Sequence, residues 1–340
     1  MSVECRVREA ELPECAFPSR SLGTSEIAVI FAVANPFTDP CPCSKNKPMI
    51  NQELPRLPLR ALDAHKGAFG HALLIGGATG MTGAISIAGT ACLRSGAGLV
   101  TLGMPKCSHG VVASLDPNYM TLPLPCDSDG RLNCDAEIAL SIPLTRASCV
   151  AIGPGLGRSD ASDRIVAFLF ENFERPLLVD ADGLNALSES RIWQEIVRGT
   201  TPPISRLRIL TPHPGEWERL CGVSAKDRVG QVAAANDLAA RTKCIVLLKG
   251  NQTLITNGKD SFINATGNAS MAVGGSGDCL TGILAALVCQ RMDGLDAARL
   301  GAHLHGLAAD IAHERLGTPS TLASDLIRFL PAAFRKLGKH

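Results

Sequence analysis

The residues of this 340-residue chain that could do chemistry gather in five short glycine- or proline-rich segments, each placed just after an apolar run. The most informative is Gly274-Gly275-Ser276-Gly277-Asp278, which runs directly into the helical stripe Leu280, Ile283, Leu284, Leu287 and Val288. Glycines ahead of a helix N-terminus leave backbone amides and the helix dipole facing outward, a hole suited to an anion such as a phosphoryl group. A carboxylate beside such a hole repels a resident phosphate. It suits a general base that takes a proton from a hydroxyl attacking a phosphorus held there. Asp278 is therefore the candidate catalytic residue, although an acid in a first helical turn also steadies its helix by about 0.3–1 kcal/mol.

The other four segments have the character of ligand loops. Gly76-Gly77-Ala78-Thr79-Gly80-Met81-Thr82-Gly83-Ala84 allows close backbone approach, but its spacing is neither the dinucleotide fingerprint nor a P-loop, and a plain strand-to-helix turn also accounts for it. Gly153-Pro154-Gly155-Leu156-Gly157 has glycine at alternate positions, more than a turn alone needs. In Asp180-Ala181-Asp182-Gly183-Leu184-Asn185, Asp182 either orients a substrate or hydrated cation or caps a helix that Asn185 begins, and both readings stand. In Thr211-Pro212-His213-Pro214-Gly215-Glu216 two prolines hold His213 at a strand end, and Pro214 suits the first turn of a helix. His303, His305 and His313 lie off an apolar helical stripe at spacings wrong for a shared metal, so we expect them solvated or locally bonded and assign no protein metal site.

These loops need a scaffold, and the periodicity supplies one. Apolar runs at His71 to Ile75, Leu99 to Leu102, Cys149 to Ile152, Pro176 to Asp180, Arg208 to Thr211 and Cys244 to Leu248 alternate with helical stripes. That rhythm predicts an α/β fold, a mostly parallel sheet with helices on both faces, and ligands at the carboxyl ends of its strands. Between Lys249 and Asn264 short extended pieces flank Asn257-Gly258, which predicts a β-hairpin. The first 66 residues hold 8 of the 21 prolines and one glycine, against ten glycines from Gly67 to Gly103. We expect a weakly ordered extension over 1–55 and one domain over 56–340, with Met49 as an alternative start.

Composition narrows the partners. A net charge of +1 and 13 aromatic residues provide little for nucleic acid to bind or stack on. The longest apolar run, Ile27 to Ala34, is too short to cross a bilayer, and Glu26 before it argues against a signal peptide. Thirteen cysteines without a C-x-x-C pair, several inside apolar helical stretches, point to free thiols in a cytoplasmic protein.

Taken in order, GPGLG, DADGLNAL, TPHPGE, Lys249-Gly250 and GGSGD resemble the ADP-dependent NAD(P)H-hydrate dehydratase family, over roughly residue 60 to the end. The resemblance implies a three-layer ribokinase-like fold. It also implies a carbon–oxygen lyase of metabolite repair that dehydrates the S epimer of hydrated NADH or NADPH (NADHX, NADPHX). ADP, with ATP as the alternative donor, phosphorylates the ring hydroxyl in the presence of Mg2+, and elimination follows, leaving AMP and phosphate. Carried over by position, Ala84, Gly155, His213 and Asp278 contact the hydrate, and Lys249, Gly250, Asn251, Gln252, Thr253 and Gly277 contact the nucleotide. A separate NAD(P)H-hydrate epimerase would be the functional partner and a homotetramer the assembly. The competing readings are a small-alcohol kinase of the hydroxyethylthiazole type and a coenzyme-binding regulator without turnover.

Overall fold

Strands that are apolar along their whole length can satisfy themselves only between two layers of helices. In the computed structural model, which describes residues 53–337, the five central strands are buried at every position or all but one. The strands are β1 (His71–Ile75), β2 (Leu99–Pro105), β3 (Met120–Leu124), β4 (Cys149–Ile152), β5 (Leu177–Val179), β6 (Arg208–Leu210), β7 (Ile245–Leu248), β8 (Leu254–Thr256) and β9 (Ser261–Ile263). They form one sheet in the order β3-β2-β1-β4-β5-β6-β7-β8-β9. Pairing is parallel from β3 to β7 and antiparallel from β7 through β9. The expected hairpin is thus β8–β9, closed by Asn257, whose side chain accepts from the amides of Lys259 and Asp260.

The helices are α1 (Thr82–Arg94), α2 (His109–Leu115), α3 (Asp135–Arg146), α4 (Asp160–Asn172), α5 (Ala181–Glu189), α6 (Arg191–Arg198), α7 (Pro214–Cys221), α8 (Arg228–Thr242), α9 (Ser276–Cys289), α10 (Gly294–Leu316) and α11 (Ala323–Leu337). Helices α1, α9, α10 and α11 pack together on one side of the sheet, and α3 to α8 pack in sequence on the other. The first group carries the main core, in which Ile85, Ala88 and Cys92 of α1 meet Ile283, Leu284 and Leu287 of α9. The three layers are those of the expected fold. No helix among the described residues is long and apolar enough to cross a membrane.

Three expectations need correction. The strand after Gly98 continues to Pro105, and β3, an edge strand containing Pro123, was not foreseen. Helix α5 begins at Ala181 rather than near Asn185. His305 is not solvated: it is 7% exposed, because α10 is covered on several faces by α9, α11 and the segment before α9. His313 is exposed and bonds Thr318 Oγ1 at 2.8 Å, as a locally bonded residue should. The expected extension and Met49 lie outside the described residues, apart from residues 53–55.

Candidate active site

Because β1, β4, β5, β6 and β7 are adjacent and parallel, their carboxyl ends line up the sequence motifs side by side. The chain runs outward from β1 to β2 and β3 and returns to β4 on the other side. The sheet therefore switches direction between the first glycine loop and GPGLG, the place where open α/β sheets bind ligands. The ladder of hydrogen bonds runs on past the strand ends. Gly153 N donates to Ile75 O at 3.1 Å, Asp180 N to Ile152 O at 3.1 Å, Thr211 N to Val179 O at 3.3 Å, and Lys249 N to Pro212 O at 2.8 Å. The loops are therefore held as rigidly as the strands.

One half of this edge is built from backbone. Gly77 N donates to Pro154 O at 3.0 Å and Ala78 N to Gly155 O at 2.7 Å, which zips the first glycine loop to GPGLG. Gly155 has φ +57, and a Cβ placed there would stand 2.7 Å from Met81 O and 3.1 Å from Ala84 Cβ. The two positions expected to touch the hydrate, Ala84 and Gly155, are thus neighbours. Asp182 Oδ2 accepts from Gly157 N at 3.0 Å, so this carboxylate steadies the GPGLG loop, and no side-chain cap is made to α5.

The other half is charged. Lys249 Nζ lies 2.8 Å from Asp180 Oδ1 and 3.8 Å from Glu216 Oε2. Asp180 is 2% exposed in its side chain, and its second oxygen accepts from Thr281 Oγ1 of α9 at 2.7 Å. Burial alone would push the Asp180 pKa up, but the Lys249 ammonium and the threonine hydroxyls outweigh it and hold the carboxyl below its usual range. Lys249 is likewise raised, with burial opposing and Asp180 prevailing. Glu216 moves the other way, up to about 7, because burial and the Asp180 charge outweigh the more distant lysine. The strong ion pair is therefore Lys249 with Asp180.

Above this pair stands the N-terminus of α9. Gly275 caps it at φ 88, and Gly277 lies so close that a Cβ there would be 3.4 Å from Lys249 Nζ. The first-turn amides of Gly277 and Asp278 precede any intrahelical acceptor. Asp278 accepts no hydrogen bond from any described residue, and burial, then the Asp180 charge, raise its pKa to about 6. Ser276 Oγ is 3.3 Å from Nε2 of the buried His305, whose pKa burial lowers to about 4, so the imidazole is neutral and carries no charge to the loop.

The two halves are joined by α1. A Cβ on Gly275 would stand 2.7 Å from Ile87 Cδ1, and Ile87 is one helical turn beyond Ala84. The remaining predicted residues lie on the charged side, His213 within electrostatic reach of Lys249 and Gly250 to Thr253 directly after it in the chain. His213 is the N-cap of α7: its Nδ1 accepts from the amides of Gly215 and Glu216, and Glu216 Oε2 accepts from the His213 amide at 2.8 Å. Its Nε2 is 3.2 Å from Glu216 Oε1, which leaves the exposed ring as the surface it offers a ligand. Gly250, Asn251, Gln252 and Thr253 form the turn from β7 to β8. Asn251 and Gln252 are exposed, and Thr253 Oγ1 donates to Gly250 O at 3.2 Å.

Four contributors escaped the sequence reading: Asp180 and Thr281, which fix Lys249; Glu216, which fixes His213; and Arg228, whose guanidinium donates to the carbonyls of Leu248, Lys249 and Gln252. The T-P-H-P-G-E string contained a signal for Glu216, since an acid three residues after a cap completes a capping box.

A glycine-built helix terminus beside a buried lysine–carboxylate pair, at the carboxyl edge of the parallel strands of a three-layer sheet, defines a ribokinase-like α/β domain. A ribokinase-like superfamily protein from Enterococcus faecalis superposes with a TM-score of 0.68 at 26% identity, over 83% of this chain and 92% of that one. The chain belongs to the NAD(P)H-hydrate dehydratase family, whose model matches residues 72–332. The ADP/ATP-dependent NAD(P)H-hydrate dehydratase from Bacillus subtilis, co-crystallised with ATP and Mg2+, is 29% identical with a TM-score of 0.69, over 83% of this chain and 95% of that one. The bifunctional NAD(P)H-hydrate repair enzyme of Moorella thermoacetica is 41% identical over 285 residues, 83% of this chain and 52% of that protein. The chain thus spans about half the length of the curated relatives it matches.

Proposed function

We propose that residues 56–340 catalyse the dehydration of the S epimer of NADHX and NADPHX, with ADP as phosphoryl donor. The observation that supports this reading is the Asp278 carboxylate in the first turn of α9, which accepts no hydrogen bond from any described residue and lies within electrostatic reach of Asp180, Asp182 and Lys249. Asp278 takes the proton of the ring hydroxyl as its oxygen attacks the terminal phosphorus, and the bond from phosphorus to the leaving nucleotide breaks. The amides of Gly277 and Asp278 hold the transferring group, and Lys249, kept charged by Asp180, faces the charge that develops there. Phosphate then leaves the ring carbon with the C–O electron pair while the neighbouring ring carbon gives up a proton to water, which restores the double bond of the reduced nicotinamide and leaves AMP and phosphate. His213 presents its ring to the hydrate, and the turn Gly250, Asn251, Gln252 and Thr253 receives the nucleotide.

Mg2+ usually travels with nucleotide phosphates and needs few protein ligands. The donor set fits that role: Asp182 and Asp278 are single carboxylates facing the site, and the described residues contain no group of three that could hold a metal by themselves. When bound, the ion neutralises phosphate charge. A separate epimerase supplies the S epimer, the assembly is a homotetramer, and the nine free cysteines among the described residues suit a cytoplasmic setting.

Purified protein incubated with S-NADHX, ADP and Mg2+ should restore the absorbance of reduced nicotinamide. No recovery with either ADP or ATP rejects the dehydratase reading. Accumulation of a stable phosphate ester would instead mark a small-alcohol kinase, and binding without turnover a regulator.

A further inference from the structure

At the amino ends of β1, β4, β5 and β6, the opposite edge from the candidate active site, lies a cavity of about 510 Å³. Small-molecule sites run roughly 300–1,000 Å³. Its walls include three arginines, Arg146, Arg175 and Arg291, and no acidic residue. Arg175 is anchored: its guanidinium donates to Ala147 O and Thr145 O at the end of α3. Arg146 is the last residue of α3, and Arg291 follows the end of α9 in the left-handed conformation, φ 64. Neither guanidinium makes a hydrogen bond or ion pair with any described residue. Behind the cavity Arg208 is fully buried and spends its donors on main-chain carbonyls alone, among them Phe170 O at 2.9 Å and Arg175 O at 3.1 Å.

Like charges around one cavity repel each other, and walls of a single sign concentrate counter-ions between them. Guanidinium forks match phosphate oxygens two at a time. Beside the arginines the lining includes the apolar side chains of Leu207, Val288 and Met292, so the cavity offers both charge and hydrocarbon. We propose that this cavity binds a small phosphorylated metabolite, with its phosphate against Arg146 and Arg291 and an apolar or aromatic body against Leu207 and Met292, as a site separate from the nucleotide loop.

The test is calorimetric titration of the full-chain protein with phenyl phosphate and with inorganic phosphate at low ionic strength. Phenyl phosphate should bind more tightly than the bare ion. The double variant Arg146→Gln/Arg291→Gln should lose at least about tenfold in affinity for it, as expected for removing charge-assisted hydrogen bonds, and its thermal midpoint should stay near that of the parent. Undiminished binding in the double variant would place the phosphate in the nucleotide loop and overturn the proposal. Absence of binding would overturn it too, and equal affinity for the two probes would reject the organic ligand in favour of a free ion. Affinity is read without turnover, so the outcome does not depend on which reaction the other edge catalyses.

Discussion

The two halves of the candidate active site solve the same problem by opposite means. On one side the zipped loops around Gly77, Pro154 and Gly155 present backbone, and position is fixed by hydrogen bonds between main-chain groups. On the other side position is fixed by charge: Asp180 holds Lys249, Thr281 ties Asp180 to α9, and Asp278 accepts no hydrogen bond from any described residue. A site that must bind a bulky coenzyme and also move a proton profits from this division. Backbone gives shape without pKa values, whereas ionisable groups give reactivity at a cost in burial.

The sharpest way to break the charged half is Asp180→Asn. It leaves Lys249 with only the more distant carboxylates of Glu216 and Asp278, and unfolding free energy should fall by about 3 kcal/mol, the lower end for a broken buried pair because Glu216 stands 3.8 Å away. Urea denaturation checks this, and Lys249→Met added to Asp180→Asn should recover part of the loss.

Asp278→Asn should lower kcat by about 10² or more while nucleotide binding persists. The parent's rate should decline as pH falls through about 6, where Asp278 takes up its proton. The sign for stability is opposite. An aspartate whose folded pKa exceeds its unfolded value near 4 costs stability as pH rises between the two, so the native state is penalised at neutral pH and not below about 4. Asp278→Asn should therefore be more stable than the parent at pH 8, by about 3 kcal/mol, with the gain vanishing near pH 4. Thermal melts at the two pH values check it, and equal melting temperatures at pH 8 would remove the basis for the raised pKa.

The backbone half should respond in KM. Gly155→Ala forces a side chain onto φ +57 and against Met81 O, and should raise KM for the hydrate by about tenfold with kcat within about twofold. It should also lower stability by about 1–3 kcal/mol. His213→Ala, the mildest change, removes the cap from two amides at about 1 kcal/mol and should raise KM for the hydrate a few-fold. His213→Asn keeps a capping oxygen and separates the cap from the contact. Restored stability with KM still raised would assign the ring to the hydrate.

How much of this was legible in the sequence follows the same division. Glycine loops declare themselves locally: Gly76 to Gly83 and Gly153 to Gly157 on the backbone half, and Gly274 to Gly277 on the charged half, needed only their neighbours in the chain to be recognised. On the charged half Asp278 and Lys249 could be named as well, but the pairing that holds Lys249 could not, because its partners are distant in sequence. Lys249 and Asp180 are 69 residues apart, Thr281 and Asp180 101. Asp180 offered no local sign that it, rather than Asp182, would anchor the site. The strand β3 was missed for a different reason, since a proline in a short run argues against a central strand yet is tolerated at an edge. His305 was misplaced because an apolar stripe identifies one buried face of α10, whereas that helix is covered on more than one.

The Thr281 to Asp180 bond also has a consequence for how the protein is made. The site draws on residues from Gly77 to Thr281, so as a whole it cannot be completed before the chain has been made past Thr281. Contacts of such long sequence separation form slowly. A nucleotide that recognises only the closed site binds no earlier folding species, and by mass action it favours the finished chain over every partly assembled one.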